Sequence, residues 1–228
     1  MKTALITLAL LLSIQFSWAQ FKFLANNCSN QYNAKIFVAA CSDGHCDGKS
    51  TIILYDKISE KELQTFNSAD LDFSLTAKQD ARIGWLELGK YQSPITFGDF
   101  NFDGTEDLAI RNGSNGAYGS PSFDIYLSSR DGKFTLDKTL TKLASENLGM
   151  FDADKNKKQI SIEQKSGCCY HKTTSYSLEP KKGLTEVSSV IEDATIGDDV
   201  VVITQKLIAG KMQRTIQKFK TKEYYSEQ

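Results

Sequence analysis

The run Asp99-Phe100-Asn101-Phe102-Asp103-Gly104-Thr105-Glu106-Asp107 decides how the rest of the chain is read. It sets side-chain oxygens at relative positions 1, 3, 5 and 9, with Gly at 6. Odd positions of such a loop turn inward, Gly takes the left-handed bend, and residue 7 offers its backbone carbonyl. A short loop wraps a hard cation in this way. Asp99, Asp103 and Asp107 repel one another at close range unless a cation sits between them. The run is therefore expected to bind Ca²⁺ through the side chains of Asp99, Asn101, Asp103 and Asp107 and the carbonyl of Thr105. Glu106, at position 8, is expected to face solvent. The loop is not a complete EF-hand, because position 12 is Ile110 where a bidentate Glu belongs. Its flanks, Ile95-Thr96-Phe97-Gly98 and Leu108-Ala109-Ile110, have strand character rather than helical character. A calcium loop between strands organises a scaffold. Ca²⁺ acidifies water poorly compared with Zn²⁺, and no His lies close by in sequence, so a catalytic metal is not expected.

Outward from this loop the chain keeps the same habit. Short β-prone runs recur between turn signals: residues 34–40, 50–55, 62–66, 71–75, 82–88, 123–127, 159–164, 173–178, 184–191, 200–207 and 212–219. Residues 136–145 give the one helical segment. Asp152-Ala153-Asp154-Lys155-Asn156 imitates the first half of the cation loop, but Lys157 stands where Gly is needed, so a plain turn is expected there. The pattern predicts an all-β, mainly antiparallel fold, a sandwich or incomplete propeller with one short helix. Three segments are read: a signal peptide over 1–19, an N-terminal β region over 20–88, and a calcium-loop β domain with a C-terminal hairpin over 89–228. Residues 20–228 can equally form one domain.

The N-terminal segment has Lys2, an apolar run from Ala4 to Ile14, and small residues at Ser17 and Ala19. This is the pattern of a secretory signal peptide cleaved near Ala19, and it predicts a periplasmic or secreted protein. No later apolar run is long enough to span a bilayer. The formal net charge of −1 and the lack of a basic stripe with interleaved aromatics argue against a nucleic-acid partner. Five cysteines in an exported chain predict disulfides. Cys41 and Cys46 flank Ser42-Asp43-Gly44-His45, expected to be a four-residue hairpin turn, and are expected to pair. Cys168 and Cys169 are adjacent; pairing of one of them with Cys28 is preferred over a strained bridge between neighbours. Zinc is disfavoured, since Cys-x4-Cys is wider than a usual zinc knuckle. Among enzyme signatures there is no Gly-x-Ser-x-Gly, phosphate loop or dinucleotide fingerprint, and no enzyme is expected.

The stretch from Phe97 to Leu108 resembles the calcium loop of FG-GAP-type repeats. It also resembles the single such loop of small periplasmic bacterial proteins that inhibit, or give immunity to, lysozyme-like cell-wall hydrolases. The family pattern continues with a Gly/Tyr-rich loop, a Tyr-Leu strand and a Gly-Lys-Phe turn. Here these are Gly116-Ala117-Tyr118-Gly119, Phe123-Asp124-Ile125-Tyr126-Leu127 and Gly132-Lys133-Phe134. A Ser-Gly-x-x-Tyr run follows at Ser166, Gly167 and Tyr170. The resemblance covers Thr96 to Leu184. It implies a non-enzymatic partner-binding protein whose Ser166 and Tyr170 hydroxyls meet the catalytic carboxylates of a hydrolase, with Gly167 and Tyr118 at the same surface. Tyr118 is equally well read as a packed loop aromatic. The Cys168-Cys169 pair inside the run departs from the pattern. A calcium-stabilised envelope adhesion or glycan-binding module is the alternative, and it predicts clustered aromatics in a groove on one sheet face.

Overall fold

The computed structural model describes residues 21–25, 29–75, 94–179 and 183–226. The signal peptide, the strand expected at 82–88 and Cys28 lie outside them. Three antiparallel sheets make an all-β, sandwich-like fold without a closed barrel. The first holds β1 (Phe21–Ala25), β2 (Tyr32–Ser42), β3 (His45–Asp56) and β4 (Glu62–Ser68) in chain order, with β5 (Phe73–Ser74) added to β3. The second holds β6 (Ile95–Gly98), β7 (Asp107–Arg111), β8 (Phe123–Ser128) and β9 (Phe134–Leu136). The third holds β10 (Asp152–Asp154), β11 (Gln159–Ser166), β12 (Tyr170–Glu179), β13 (Gly183–Asp193), β14 (Asp199–Ile208) and β15 (Lys211–Lys220). Helix α1 (Lys138–Glu146) joins the second sheet to the third, and a short helix α2 (Thr221–Tyr224) follows β15.

Strand β7 shows how the layers stack. All five of its residues are buried, and alternate residues point to opposite faces. Leu108 and Ile110 enter a core with Ile36, Ile52, Leu54 and Phe66 of the first sheet. Ala109 enters a second core with Ile125, Leu140, Phe151 and Ile160. The N-terminal sheet therefore shares its core with the sheet that carries the cation loop. Gln64 seals the seam: its side-chain amide donates to the Phe134 carbonyl (2.9 Å) and accepts from the Phe134 N–H (3.0 Å).

Local chemistry explains where the elements end. Asp137 caps α1, accepting from the N–H groups of Thr139 (2.9 Å) and Leu140 (2.8 Å). The β2–β3 turn is tighter than the expected four residues. Ser42 pairs with His45, leaving Asp43-Gly44 as the loop, both at positive φ, the Asp-Gly signature of a twisted two-residue hairpin. Cys41 pairs opposite Cys46 and the two are bridged, as their spacing predicts.

Candidate functional site

The cation-loop residues join β6 to β7. Gly104 takes φ 90°, so the bend expected of position 6 is present. The loop's oxygens are turned onto its own N–H groups. Asp99 accepts from Asp103 and Gly104 (both 3.1 Å), Asn101 accepts from Asp103 (3.0 Å), and Asp103 accepts from Thr105 (2.8 Å). Asp107 is fully buried and receives the N–H of Phe100 (2.7 Å) on one oxygen and that of Ser128 (2.8 Å) on the other. Burial pushes its carboxyl up to about 6 against those two hydrogen bonds, and the negative charges of Asp103 and Asp99 push the same way. The donor set is all oxygen, the choice of a hard cation. Among the described residues, however, no three His, Cys, Asp or Glu side chains are arranged to hold a metal ion. The loop is folded by its own amides, and the second lone pairs of the exposed oxygens at Asp99, Asn101 and Asp103 are what a cation would engage.

Two expectations about this region change. Glu106 does not face open solvent: it accepts a hydrogen bond from the Ser29 hydroxyl (2.6 Å), whose oxygen in turn accepts the N–H groups of Gln31 and Tyr32 (both 2.9 Å). The loop thus holds the entrance to β2, a contact across 77 residues that position 8 alone does not signal. The imitation at Asp152 is partly a strand, β10, followed by a turn. There Asp154 accepts from Asn156 and Lys157 (both 3.0 Å) and pairs with the Lys157 ammonium (3.0 Å), so that turn supplies its own cation.

The hairpin of β11 and β12 carries the second set of residues. Ser166 pairs directly with Tyr170, so the two side chains share one face at its end. Between them lie Gly167, Cys168 and Cys169. Gly167 takes φ 65°, a conformation that disfavours any residue with a Cβ. Cys168 and Cys169 are bonded to each other, so the expected bridge to Cys28 is not made. With both sulfurs engaged in that bond, neither is left for a partner elsewhere.

The hairpin end is braced from two sides. The hydroxyl of Tyr118 accepts the Gly167 N–H (2.6 Å), and the Lys165 ammonium stands 4.6 Å above the Tyr118 ring. On the other side the Cys169 carbonyl accepts the Ala194 N–H (2.8 Å). Tyr118 sits in a tight turn over Ala117–Gly119 and is 62% exposed, so it is not a packed core aromatic. That turn is itself held: the Ala117 N–H meets the Asn147 carbonyl (3.0 Å), and the Gly116 N–H meets Ser120 (2.9 Å). Gly116 is needed there, since a Cβ would lie 2.7 Å from the Asn147 oxygen and 2.8 Å from that of Ser120. The structure therefore joins Tyr118 to Gly167 and Lys165, and pairs Ser166 with Tyr170 on the alternate face of the same hairpin end. Lys165 and Asn147 belong to the same construction and carried no sequence signal. An open groove of about 870 Å³ beside the hairpin end is lined by Cys168, Cys169, Ala194, Lys222 and Tyr225.

No family description matches the chain, and no curated protein matches it. A solved structure does. A Xanthomonas protein described as related to a type IV secretion system superposes with a TM-score of 0.64 at 17% identity, over 88% of this chain and 94% of that one. At that identity the likeness establishes the fold.

Proposed function

We propose that this chain is an exported, non-enzymatic inhibitor or immunity-type protein that offers the β11–β12 hairpin end to the cleft of a lysozyme-like cell-wall hydrolase. The observation that carries the reading is the Tyr118–Gly167 hydrogen bond with Lys165 stacked on the same ring. It joins, across 49 residues, the two segments that the family resemblance assigns to the partner. Cleavage of a glycoside by such a hydrolase uses one protonated and one ionised carboxyl group. The paired hydroxyls of Ser166 and Tyr170 donate to the ionised carboxylate and accept from the protonated carboxyl while presenting no glycosidic bond. The Cys168–Cys169 bond and the Tyr118 brace lower the ordering cost of insertion. Ca²⁺ at Asp99, Asn101, Asp103, Thr105 and Asp107 has a scaffold role in this reading, holding β6, β7 and Ser29 together. The glycan-binding alternative has less support, because the aromatic pairs Tyr32–Phe97, Phe66–Tyr126 and Phe66–Phe134 are placed in the core between the first two sheets.

The test is titration of the purified protein against a panel of lysozyme-type hydrolases. At least one is expected to be inhibited stoichiometrically, and the pair Ser166→Ala with Tyr170→Phe is expected to abolish that inhibition with the melting curve unchanged. A panel with no inhibited member, or inhibition indifferent to both substitutions, sinks the reading.

A further inference from the structure

The outer ribbon of the third sheet has a feature that the hairpin end at Ser166 does not use. The pairing of β13 with β14 stops at Ser188 and Lys206. The cause lies one strand inward. Ser175 pairs with Ser188 and Tyr176 with Glu186, so Val187 is the extra residue of a bulge. A bulge bends its strand, and here it parts β13 from β14. The ladder between β14 and β15 runs on, through Leu207 with Met212 and Ile208 with Lys211, to the Ala209-Gly210 turn. The end of this ribbon has no third strand beside it among the described residues.

Each face of that end carries an apolar side chain. Residues paired across an antiparallel ladder share a face and successive residues alternate, so Leu207 and Met212 lie on one face and Ile208 on the other. They are 37%, 42% and 48% exposed. Charge is segregated in the same place. Residues 200–220 contain Lys206, Lys211, Arg214, Lys218 and Lys220 and no Asp or Glu, while the whole chain has a net charge of −1. Lys218 and Lys220 share Asp199 at the far end of the ribbon (2.9 and 2.7 Å). Lys206, Lys211 and Arg214 flank the apolar end. Lysines along an edge strand blunt pairing with a second copy, but they do not account for apolar side chains on both faces.

We infer that the end of the β14–β15 ribbon docks on an anionic lipid surface. Leu207, Ile208 and Met212 enter the interface, and Lys206, Lys211 and Arg214 meet the headgroup phosphates. An added strand covers one edge and a protein groove covers one face; the interfacial layer of a bilayer surrounds both. Lys and Arg suit the boundary because their methylene stems lie along apolar neighbours while the charged ends reach the headgroups. The acidic remainder of the chain is repelled by the same surface, which leaves the ribbon as the point of approach.

Co-sedimentation with vesicles tests this on the full exported chain. Vesicles rich in phosphatidylglycerol are expected to bind at least about tenfold more tightly than pure phosphatidylcholine, and binding weakens as salt rises from about 0.05 M to about 0.5 M. Lys206→Glu, Lys211→Glu and Arg214→Glu together are expected to abolish binding. Leu207→Asn with Ile208→Asn reduces it, and these exposed positions leave the melting curve in place. An Ile208→Trp variant reports insertion directly, by a blue-shifted emission with anionic vesicles. No sedimentation with anionic vesicles overturns the inference. So does equal binding to phosphatidylcholine, or binding indifferent to the ribbon variants. Ribbon-dependent self-association in place of vesicle binding assigns the surface to protein contact and overturns it as well.

Discussion

The Asp99–Asp107 loop and the Ser166–Tyr170 hairpin end both connect antiparallel strands, yet they are held by opposite means. The first is closed from within. Its carboxylates and amide take up the loop's own N–H groups, and Asp107 at the base gathers two more. The second is closed by a bond between neighbouring cysteines and held from outside, by Tyr118 on one side and Ala194 on the other. A self-contained loop stays in place when its surroundings shift. A braced one is only as fixed as its braces, which makes the Gly116–Gly119 turn part of the hairpin end.

The largest effect should come from the base of the first loop. Asp107→Ala leaves the buried N–H groups of Phe100 and Ser128 without partners and is expected to cost about 2–5 kcal/mol in chemical denaturation. A loss below about 1 kcal/mol shows that water replaces the carboxylate and that the loop is not closed by it. Calcium comes next. At a hundredfold excess over its dissociation constant it should add about 2.7 kcal/mol, removed by chelator, with no such response after Asp99→Ala and Asp103→Ala. A melting curve indifferent to both calcium and chelator leaves the loop a self-bonded turn.

The braced region should respond differently. Gly116→Ala pushes a Cβ against two backbone carbonyls and is expected to cost about 1–3 kcal/mol while also weakening hydrolase binding. The smallest change in stability belongs to Tyr118→Phe, below about 1 kcal/mol, because the Gly167 N–H it releases reaches water. Its binding effect should be larger than its stability effect, roughly fivefold, since only the order of the hairpin end is lost. Equal effects on stability and binding would erase the distinction between the two regions.

What the sequence disclosed follows the same division. The loop was legible because its chemistry is consecutive: the Gly at position 6, the oxygens at odd places and the flanking strands all lie within a dozen residues. The Cys41–Cys46 bridge and the helical segment over 136–145 were legible for the same reason, although β9, β10 and α2 are too short to show a period. Glu106 was misread because its partner, Ser29, lies 77 residues away in another sheet. The expectation for Cys168 and Cys169 weighed only the strain of a bridge between neighbours, whereas the structure bonds the two at the end of the β11–β12 hairpin. Ser166, Tyr170 and Tyr118 were singled out through a resemblance rather than from a pattern in the residues, and nothing in sequence marked Lys165 or Asn147 as supports of Tyr118 and its turn.

The central claim is that the hairpin end and the Tyr118 turn together form the surface that meets the hydrolase. Amide hydrogen exchange of the chain, free and saturated with an inhibited hydrolase, tests it most directly. Added protection is expected over 116–119 and 165–170 in the same complex, with the first sheet unchanged. Protection confined to the first sheet, or to one of the two segments without the other, contradicts it.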